Sequence, residues 1–339
     1  MRYPKSIKNG DIIGVTAPSD GIYKEEDYPR LNNVKPNFEK LGYRYLETPN
    51  VRSSNKGRSS SGKERAKELM GLWNNPEVSA IISAGGGDFM PEILNELDFE
   101  ELKRLEPKWY QGYSDNTNLT ILLPTLCDIA SIYGQNVKDF GMKDLYKNLT
   151  STFEIMQGKE ITQESYDKYE IPDWEKERNP FDGYDLTEKS TWKSLKGEKE
   201  IKITGRSIGG CFDCVVNLIG TKFDKMKDFI EKYKEDGIIW FLEVFEMSTP
   251  ALYINLWKMK NAGLFENCNG IVFGRPLMIR EDYETSYEET LKEFFKNSDI
   301  PVIYDIDCGH VSPQMPIVTG AILEIEYQNG KGKITNKFE

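Results

Sequence analysis

Histidine is almost absent from this chain, since His310 is the only one among 339 residues. Cysteine is also scarce: five residues are spread thinly, which is typical of a protein in a reducing cytosol. The one Cys-x-x-C motif, Cys211 and Cys214, has no second cysteine pair and no histidine near it in sequence, which argues against a structural zinc site. We interpret these two cysteines as small core residues and expect no metal and no cofactor.

Long apolar runs and basic clusters are missing as well. No apolar run reaches the roughly 18–20 residues of a membrane span, and the opening MRYPKSIKNGD lacks the apolar region of a signal peptide. Asp plus Glu is 55 against 44 Lys plus Arg, and acids interrupt every basic stretch. A nucleic-acid partner would require a basic face. We therefore expect an acidic, cytoplasmic protein that binds neither membranes nor nucleic acids.

What is present is an alternation of strand and helix patterns over residues 1–147. A chain of this length predicts two domains. The alternation predicts an open parallel sheet with helices on both faces, a flavodoxin- or Rossmann-like domain. A polar helical stretch that Pro36 interrupts runs to residue 41. Strands are predicted at 11–16, 43–47, 80–83, 109–112 and 129–134, and the other helices at 62–73, 99–105 and 117–126.

The pattern changes twice after residue 147. Residues 148–200 are rich in Lys, Glu, Asp, Tyr and Trp with little apolar periodicity, which predicts a loop-rich connector. Residues 201–339 predict a second α/β domain with more strand, which we expect to be swivelling-barrel-like. It begins with a glycine-containing turn and a helix over 211–218. Strands then follow at 237–242, 270–273, 302–305 and 321–327, with helices at 250–262 and 287–295.

A serine follows the fourth predicted strand, in the segment GYSDNTNL. Ser114 or Asp115 is either an N-cap of the next helix or part of a reactive site. In the second interpretation Ser114 is a nucleophile at the carboxyl end of a parallel strand, where open α/β sheets place their sites. The Asp115 amide would then point from the helix N-terminus towards a developing oxyanion. The segment is not the G-x-S-x-G elbow, because no glycine follows the serine at that spacing.

Three glycines, Gly85 to Gly87, follow the third predicted strand. They form either a tight strand-to-helix turn or a place where a substrate approaches the backbone closely. A phosphate-binding loop is weakly supported, because neither G-x-G-x-x-G nor a G-K-[ST] ending is present. Two further polar groups also follow apolar runs: Glu243 ends IIWFLE, and His310 ends DIDCGH. A carboxylate in such a position can orient an imidazole.

Together these segments resemble the LD-carboxypeptidase family of serine peptidases, which includes the microcin C immunity peptidases. The resemblance covers nearly the whole chain, and the order and spacing of the segments make it specific. The segments are GDIIGVTAPS at 10–19, Gly86-Gly87 before LDF at 97–99, GYSDNTNL at 112–119, GRSIGGCFDCVVNLIGT at 205–221, FLE at 241–243, GIVFGRP at 270–276 and the Gly-His pair at 309–310.

The resemblance implies a role for each polar residue. Ser114 is the expected nucleophile, His310 the general base and Glu243 the residue that orients the base. The expected oxyanion hole combines the Asp115 amide with an amide of Gly86 or Gly87. The chain departs from many members at Val244, where they have Asp, and at Gly85, where they have Arg. Neither position belongs to the triad.

The resemblance also implies two classes of substrate and a homodimer. One class is the L,D-bond of a murein tetrapeptide, and the other is an aminoacyl-nucleotide of the microcin C type. The tryptophans of the connector, Trp174 and Trp192, either stack on such a substrate or pack the loop onto the body of the protein. The alternative function is a catalytically silent small-molecule binding protein on the same scaffold.

Overall fold

Short apolar strands form the first parallel sheet. The computed structural model describes residues 1–173 and 177–339. Five strands between residues 12 and 133 pair in the order β5-β4-β3-β1-β2, and all of these pairs are parallel, as predicted for a flavodoxin-like sheet. Strand order reverses between β1 and β3, and ligands of such sheets bind at the carboxyl ends near that point. The strands are β1 (Ile12–Thr16), β2 (Arg44–Glu47), β3 (Val78–Ser83), β4 (Trp109–Gly112) and β5 (Ser131–Tyr133).

Seven helices accompany these strands in the described residues. The third is capped by Ser61, whose side chain accepts the Glu64 N–H, and it buries Leu69, Leu72 and Trp73. The predicted helical stretch before residue 41 is divided at Asn33, and Pro36 lies inside the first turn that follows. The helices are α1 (Tyr28–Asn32), α2 (Val34–Lys40), α3 (Gly62–Asn74), α4 (Phe99–Arg104), α5 (Thr117–Thr120), α6 (Leu122–Cys127) and α7 (Lys147–Met156).

The chain divides into two compact units that are not continuous in sequence. The first unit comprises residues 1–159 and 173–184, and the second comprises 160–172 and 185–339. The predicted connector at 148–200 is therefore shared between the units and is not a separate segment. Its first part is α7, which buries Leu149, Phe153 and Ile155 in the first unit. The helical spacing of these three apolar residues was not recognised because the residues between them are mostly polar.

The second unit is built on a larger mixed sheet. Its order is β6-β16-β15-β10-β11-β12-β13-β9, parallel from β10 to β13 and antiparallel elsewhere. Over the described residues this sheet is open, so the barrel-like closure that we expected is wrong. The strands of this unit are β6 (Thr162–Glu164), β7 (Lys168–Tyr169), β8 (Glu188–Lys189), β9 (Lys193–Ser194), β10 (Glu200–Cys211), β11 (Ile238–Glu243), β12 (Cys268–Gly274), β13 (Val302–Ile306), β14 (Ile317–Thr319), β15 (Ile322–Gln328) and β16 (Lys331–Lys337).

The core of the second unit lies around β11, all of whose residues are buried. Since β11, β12 and β13 are parallel neighbours, their carboxyl ends share one edge of the sheet. The residues that follow these three strands therefore lie along that edge. Within the described part of the chain, no helix is both long and apolar enough to cross a bilayer. The helices of this unit are α8 (Phe212–Leu218), α9 (Met226–Lys232), α10 (Thr249–Asn261) and α11 (Tyr287–Phe295).

Candidate active site

Ser114 follows β4 in an unusual backbone conformation. Its φ is +62°, in the left-handed region that costs a residue with a Cβ about 1–2 kcal/mol. Neighbouring groups hold this turn: the Ser114 N–H donates to Tyr133 Oη at 3.3 Å, and the Tyr113 N–H donates to Asn136 Oδ1 at 3.3 Å. The strain is therefore balanced by tertiary contacts. The half-buried serine lies where the predicted site was expected, at the carboxyl end of a parallel strand.

The glycine turn after β3 lies against this serine. A Cβ placed on Gly86 would be 3.0 Å from Ser114 Cβ and 3.1 Å from its Oγ. On Gly87, whose φ is +146°, a Cβ would be only 2.5 Å from Ser19 Oγ. The turn is fixed from the other side, because Asn116 Nδ2 donates to the Gly85 carbonyl at 2.9 Å. Of the two predicted glycines, Gly86 is the one that borders the serine.

Asp115 is buried and joins three loops. Its Oδ2 accepts hydrogen bonds from the Ser19 hydroxyl and, at 2.8 Å, from the Met90 N–H. Asn118 Nδ2 donates to the other oxygen at 2.9 Å. Burial raises the pKa of the Asp115 carboxyl to about 6. The side chain thus connects the loops after β1 and β3 to the Ser114 turn, while its amide stays a predicted oxyanion donor.

A cavity of about 290 Å³ lies beside this turn in the first unit. The loops that follow β1, β3, β4 and β5 line it, as expected at the carboxyl edge of such a sheet. Its lining combines backbone of the glycine turn with polar side chains, including Asp20, Tyr113, Asn136 and Lys138. This cavity is a candidate binding site for a small polar substrate.

Glu243 and His310 form a pair in the second unit. His310 Nδ1 lies 2.9 Å from Glu243 Oε1 and 3.0 Å from Oε2. The carboxylate is fully buried, whereas the imidazole keeps 10% of its side-chain surface exposed. Since an ionised carboxylate only accepts, we assign the proton to Nδ1, which puts the basic lone pair on Nε2. The predicted carboxylate–histidine interaction is present in this geometry.

Two glycines make room for the carboxylate. A Cβ on Gly309, whose φ is +103°, would lie 2.7 Å from Glu243 Cβ, Cγ and Oε2. A Cβ on Gly274 would lie 2.9 Å from Glu243 Cβ and 2.1 Å from the Cys308 carbonyl oxygen. The glycines of the GRP and GH segments are therefore required by close packing around the buried glutamate.

Phe245 and Asp213 support the histidine, and the sequence analysis missed both. The Phe245 ring stacks on the imidazole with a centroid distance of 4.0 Å. Asp213 accepts the N–H groups of Phe245 at 3.0 Å and Glu246 at 3.2 Å, which fixes the turn after β11. Asp213 lies in the GGCFDC segment, so its place in a glycine-rich motif was the available signal.

Two tryptophans of the connector, Trp174 and Trp192, were predicted to contact the substrate. Trp192 is fully buried, and its indole N–H donates to Asp307 Oδ2 at 2.9 Å. It therefore offers no face for stacking, and the structure corrects our assignment of Trp192 as a substrate contact: it is a packing residue. Trp174 lies outside the described residues.

The Cys-x-x-C motif lies at the start of α8. Cys211 is buried, and a hydrogen bond with Cys214 together with desolvation holds its pKa well above the ordinary value. Cys214 is only partly buried, so the interpretation as a core residue fits Cys211 better. In residues 1–173 and 177–339, no group of three or more His, Cys, Asp or Glu side chains could hold a metal ion.

Two domains of one known family match most of this chain. The N-terminal domain of LD-carboxypeptidase matches residues 13–134, and the C-terminal domain matches residues 204–325. The first match includes Gly86 and Ser114, and the second includes Glu243 and His310. The matches identify the protein as a peptidase. The chain belongs to the LD-carboxypeptidase family.

Several relatives match over most of their length. The microcin C7 self-immunity protein MccF of Escherichia coli is 27% identical over 295 residues, which are 83% of this chain and 80% of MccF. A probable murein peptide carboxypeptidase of Bacillus subtilis is 23% identical and covers 94% and 89%. Among solved structures, an MccF-like protein from Bacillus anthracis has a TM-score of 0.82 at 22% identity, with both chains covered completely. That likeness shows a common fold.

Proposed function

We propose that this protein is a serine carboxypeptidase with a Ser114–His310–Glu243 triad. It would hydrolyse an amide-type bond in a small, peptide-derived substrate. The observation that carries the proposal is the contact of His310 Nδ1 with the buried Glu243 carboxylate at 2.9–3.0 Å. A buried carboxylate in this position orients an imidazole as a general base and stabilises the imidazolium. Family membership and the strained Ser114 turn support the same role.

In the proposed mechanism Ser114 attacks the carbonyl carbon of the substrate. His310 Nε2 accepts the hydroxyl proton and passes it to the leaving amine, and Glu243 stabilises the charge that forms on the ring. The amides of Asp115 and of Gly86 or Gly87 would hold the oxyanion, and one such donor is worth roughly 3–4 kcal/mol in the rate step. Water then hydrolyses the acyl-enzyme with His310 as base.

The two substrate classes predicted above remain the candidates. One relative is named a probable murein peptide carboxypeptidase, and MccF has been solved in complex with aspartyl sulfamoyl adenosine. Turnover should be measured on a murein tetrapeptide and on aspartyl sulfamoyl adenosine, with Ser114→Ala as the control. Hydrolysis of either substrate by the native chain but not by the variant supports the proposal. No turnover of either, together with tight binding, would favour a silent binding protein.

We also propose that the protein is a cytoplasmic homodimer. None of the five cysteines, all of which lie in the described residues, forms a disulfide bond, which suits a reducing compartment. The α10 helix exposes apolar side chains that a second copy could cover, with Ile254 59% and Trp257 55% accessible. Light scattering at micromolar concentration tests the dimer, and a monomer mass would rule it out.

A further inference from the structure

Arg275 is a buried arginine that directly follows Gly274, the glycine that packs against Glu243. It follows β12 and is only 6% exposed. Its Nη2 donates to Asp307 Oδ1 at 2.7 Å and to Ser190 Oγ at 2.6 Å, and its guanidinium lies over the Tyr169 ring at 4.4 Å. Asp307 neutralises one side of the guanidinium and fixes its position. The cation is therefore rigid and already desolvated.

One end of this guanidinium has no hydrogen-bond partner in residues 1–173 and 177–339. Nη1 is buried, and no hydrogen-bond acceptor reaches it from the residues that the structure describes. Most buried polar groups in proteins are hydrogen-bonded, and a buried N–H without an acceptor is costly. Since Nη2 is saturated by Asp307 and Ser190, the capacity for a further acceptor lies at Nη1. An oxygen of a bound anion would satisfy it.

Arg275 borders a second cavity, of about 370 Å³, that lies wholly within the second unit. Two other cations line it, Lys189 and Lys193, together with an apolar wall that includes Leu277 and Val311. The acids of the lining are already engaged. Asp305 pairs with Lys193 Nζ at 2.9 Å, and Glu170 accepts the Asp185 N–H at 3.0 Å.

Lys189 is a further cation of the cavity lining. Its side chain is exposed, and it has no acidic partner among the residues described. Arg275 would supply a fixed, desolvated donor and Lys189 a mobile positive charge. This combination suits a small anion that carries an apolar body, because the anion is held at one end and the Leu277 wall covers the remainder.

The cavity adjoins the histidine through the backbone. The Leu277 N–H donates to the Val244 carbonyl at 3.3 Å, and the Met278 N–H donates to the Phe245 carbonyl at 2.8 Å. The wall of the cavity is thus attached to the turn that carries the Phe245 ring stacked on His310. Val311, on the same lining, is the residue after His310. The wall of the cavity is therefore continuous with the backbone that holds the proposed general base.

We propose that this cavity is a subsite for an anionic group of the substrate, a carboxylate or a phosphate, held by Arg275 Nη1 and Lys189. The inference rests on the proposed carboxypeptidase function and gives it a specificity element. A substrate that bears the anion gains affinity from this subsite, whereas a substrate in which the anion is neutralised does not. The murein tetrapeptide supplies carboxylates, and an aminoacyl-nucleotide supplies a phosphate.

Binding to the Ser114→Ala protein tests the subsite independently of turnover. Calorimetry would compare a murein tetrapeptide, the same peptide with amidated side carboxylates, and adenosine monophosphate. Lys189→Met should weaken binding of the anionic ligand about 10-fold and leave the amidated peptide unchanged. If affinity falls only for the tetrapeptide, the anion bound in the subsite is a carboxylate. If affinity falls only for adenosine monophosphate, the anion is a phosphate. Lys202→Met, an exposed lysine outside the cavity, is the matched control and should have no effect.

Arg275→Lys gives a second, independent variant. It keeps a positive charge for Asp307, which avoids an unpaired buried carboxylate, but it removes the planar fork that presents Nη1. The same selective loss of anion binding is expected, with native circular dichroism. Unchanged affinities in both variants, together with hydrolysis of the substrate by the native chain, would overturn the subsite alone. Absence of hydrolysis by the native chain would instead count against the proposed function, whatever the variants bind.

Discussion

The ring of Phe245 lies nearly parallel to the imidazole of His310, with 4.0 Å between the ring centroids and 15° between the planes. Such a contact restricts the rotation of the histidine about its side-chain bonds while Glu243 fixes Nδ1. The stack thus complements the carboxylate in positioning Nε2.

Phe245→Leu should slow the reaction without disturbing the fold. Aromatic contacts of this kind are worth about 0.5–1.5 kcal/mol, so kcat should fall roughly 2- to 10-fold while KM changes less. Phe245→Tyr should restore the rate, because it keeps the ring. Phe265→Leu, on a phenylalanine outside this site, should leave kcat unchanged. Equal losses in both leucine variants would indicate a general effect on stability.

Gly309→Ala should disrupt the glutamate as well as the backbone. A Cβ there meets Glu243 at 2.7 Å and also forces a side chain onto a φ of +103°. Gly10→Ala is the matched control, because Gly10 has a similar φ of +89° but nothing within 4 Å of the added atom. The control should lose about 1–2 kcal/mol of stability and keep its activity. Gly309→Ala should lose most of its activity and more stability, as measured by urea unfolding. Intact turnover in Gly309→Ala would contradict the packing argument.

Replacement of Ser114 by alanine and by glycine distinguishes the backbone strain at this position from the role of the hydroxyl in the reaction. Both Ser114→Ala and Ser114→Gly remove the hydroxyl and should be inactive. Only glycine adopts a φ of +62° without strain, which saves about 1–2 kcal/mol. Its greater freedom in the unfolded chain offsets about 0.5–1 kcal/mol of this gain. Ser114→Gly should therefore be more stable than Ser114→Ala by up to about 1.5 kcal/mol in urea unfolding. The opposite order would mean that the turn is relaxed.

Asp115 should make stability depend on pH in the acidic range. Burial raises its pKa in the folded protein from the ordinary 3.8 to about 6, so folding favours the protonated carboxyl. This contribution to stability is complete only below about pH 3, under the unfolded pKa of 3.8, and is lost as the pH rises through about 6. Asp115→Asn cannot titrate. The stability of the native chain relative to this variant should therefore fall by about 2.4 kcal/mol between pH 4 and pH 7. Urea unfolding curves that differ by a constant amount over this range would refute the assignment.

The strand ends that carry Ser114, Glu243 and His310 could be predicted because each follows an apolar run that becomes a buried strand. β10 could not be predicted in the same way. Its glycines were interpreted as a turn, since glycine is depleted in strands. In the structure β10 pairs on both sides, with β11 and β15, and a Cβ on Gly209 would lie 1.8 Å from the Phe241 carbonyl oxygen. Pairing and close approach override the local preference.

The cluster around Arg275 was also beyond the sequence. Asp307, Ser190 and Trp192 are distant from Arg275 in the chain, and only the fold brings them together. The burial of Trp192 has the same origin, because the polar residues around it suggested a surface loop. Long-range polar contacts of this kind have no periodic signature that a local pattern could indicate.

The division of the first unit at residue 159 has a consequence for the order of events during synthesis. Domains generally fold as they emerge from the ribosome, with the N-terminal one first. Here residues 160–172 of the second unit must emerge before residues 173–184 can complete the first. That late segment supplies Tyr184, whose hydroxyl accepts a hydrogen bond from Asn148 Nδ2 at 3.1 Å. The last residues of the first unit are therefore translated only when about half of the chain has been made.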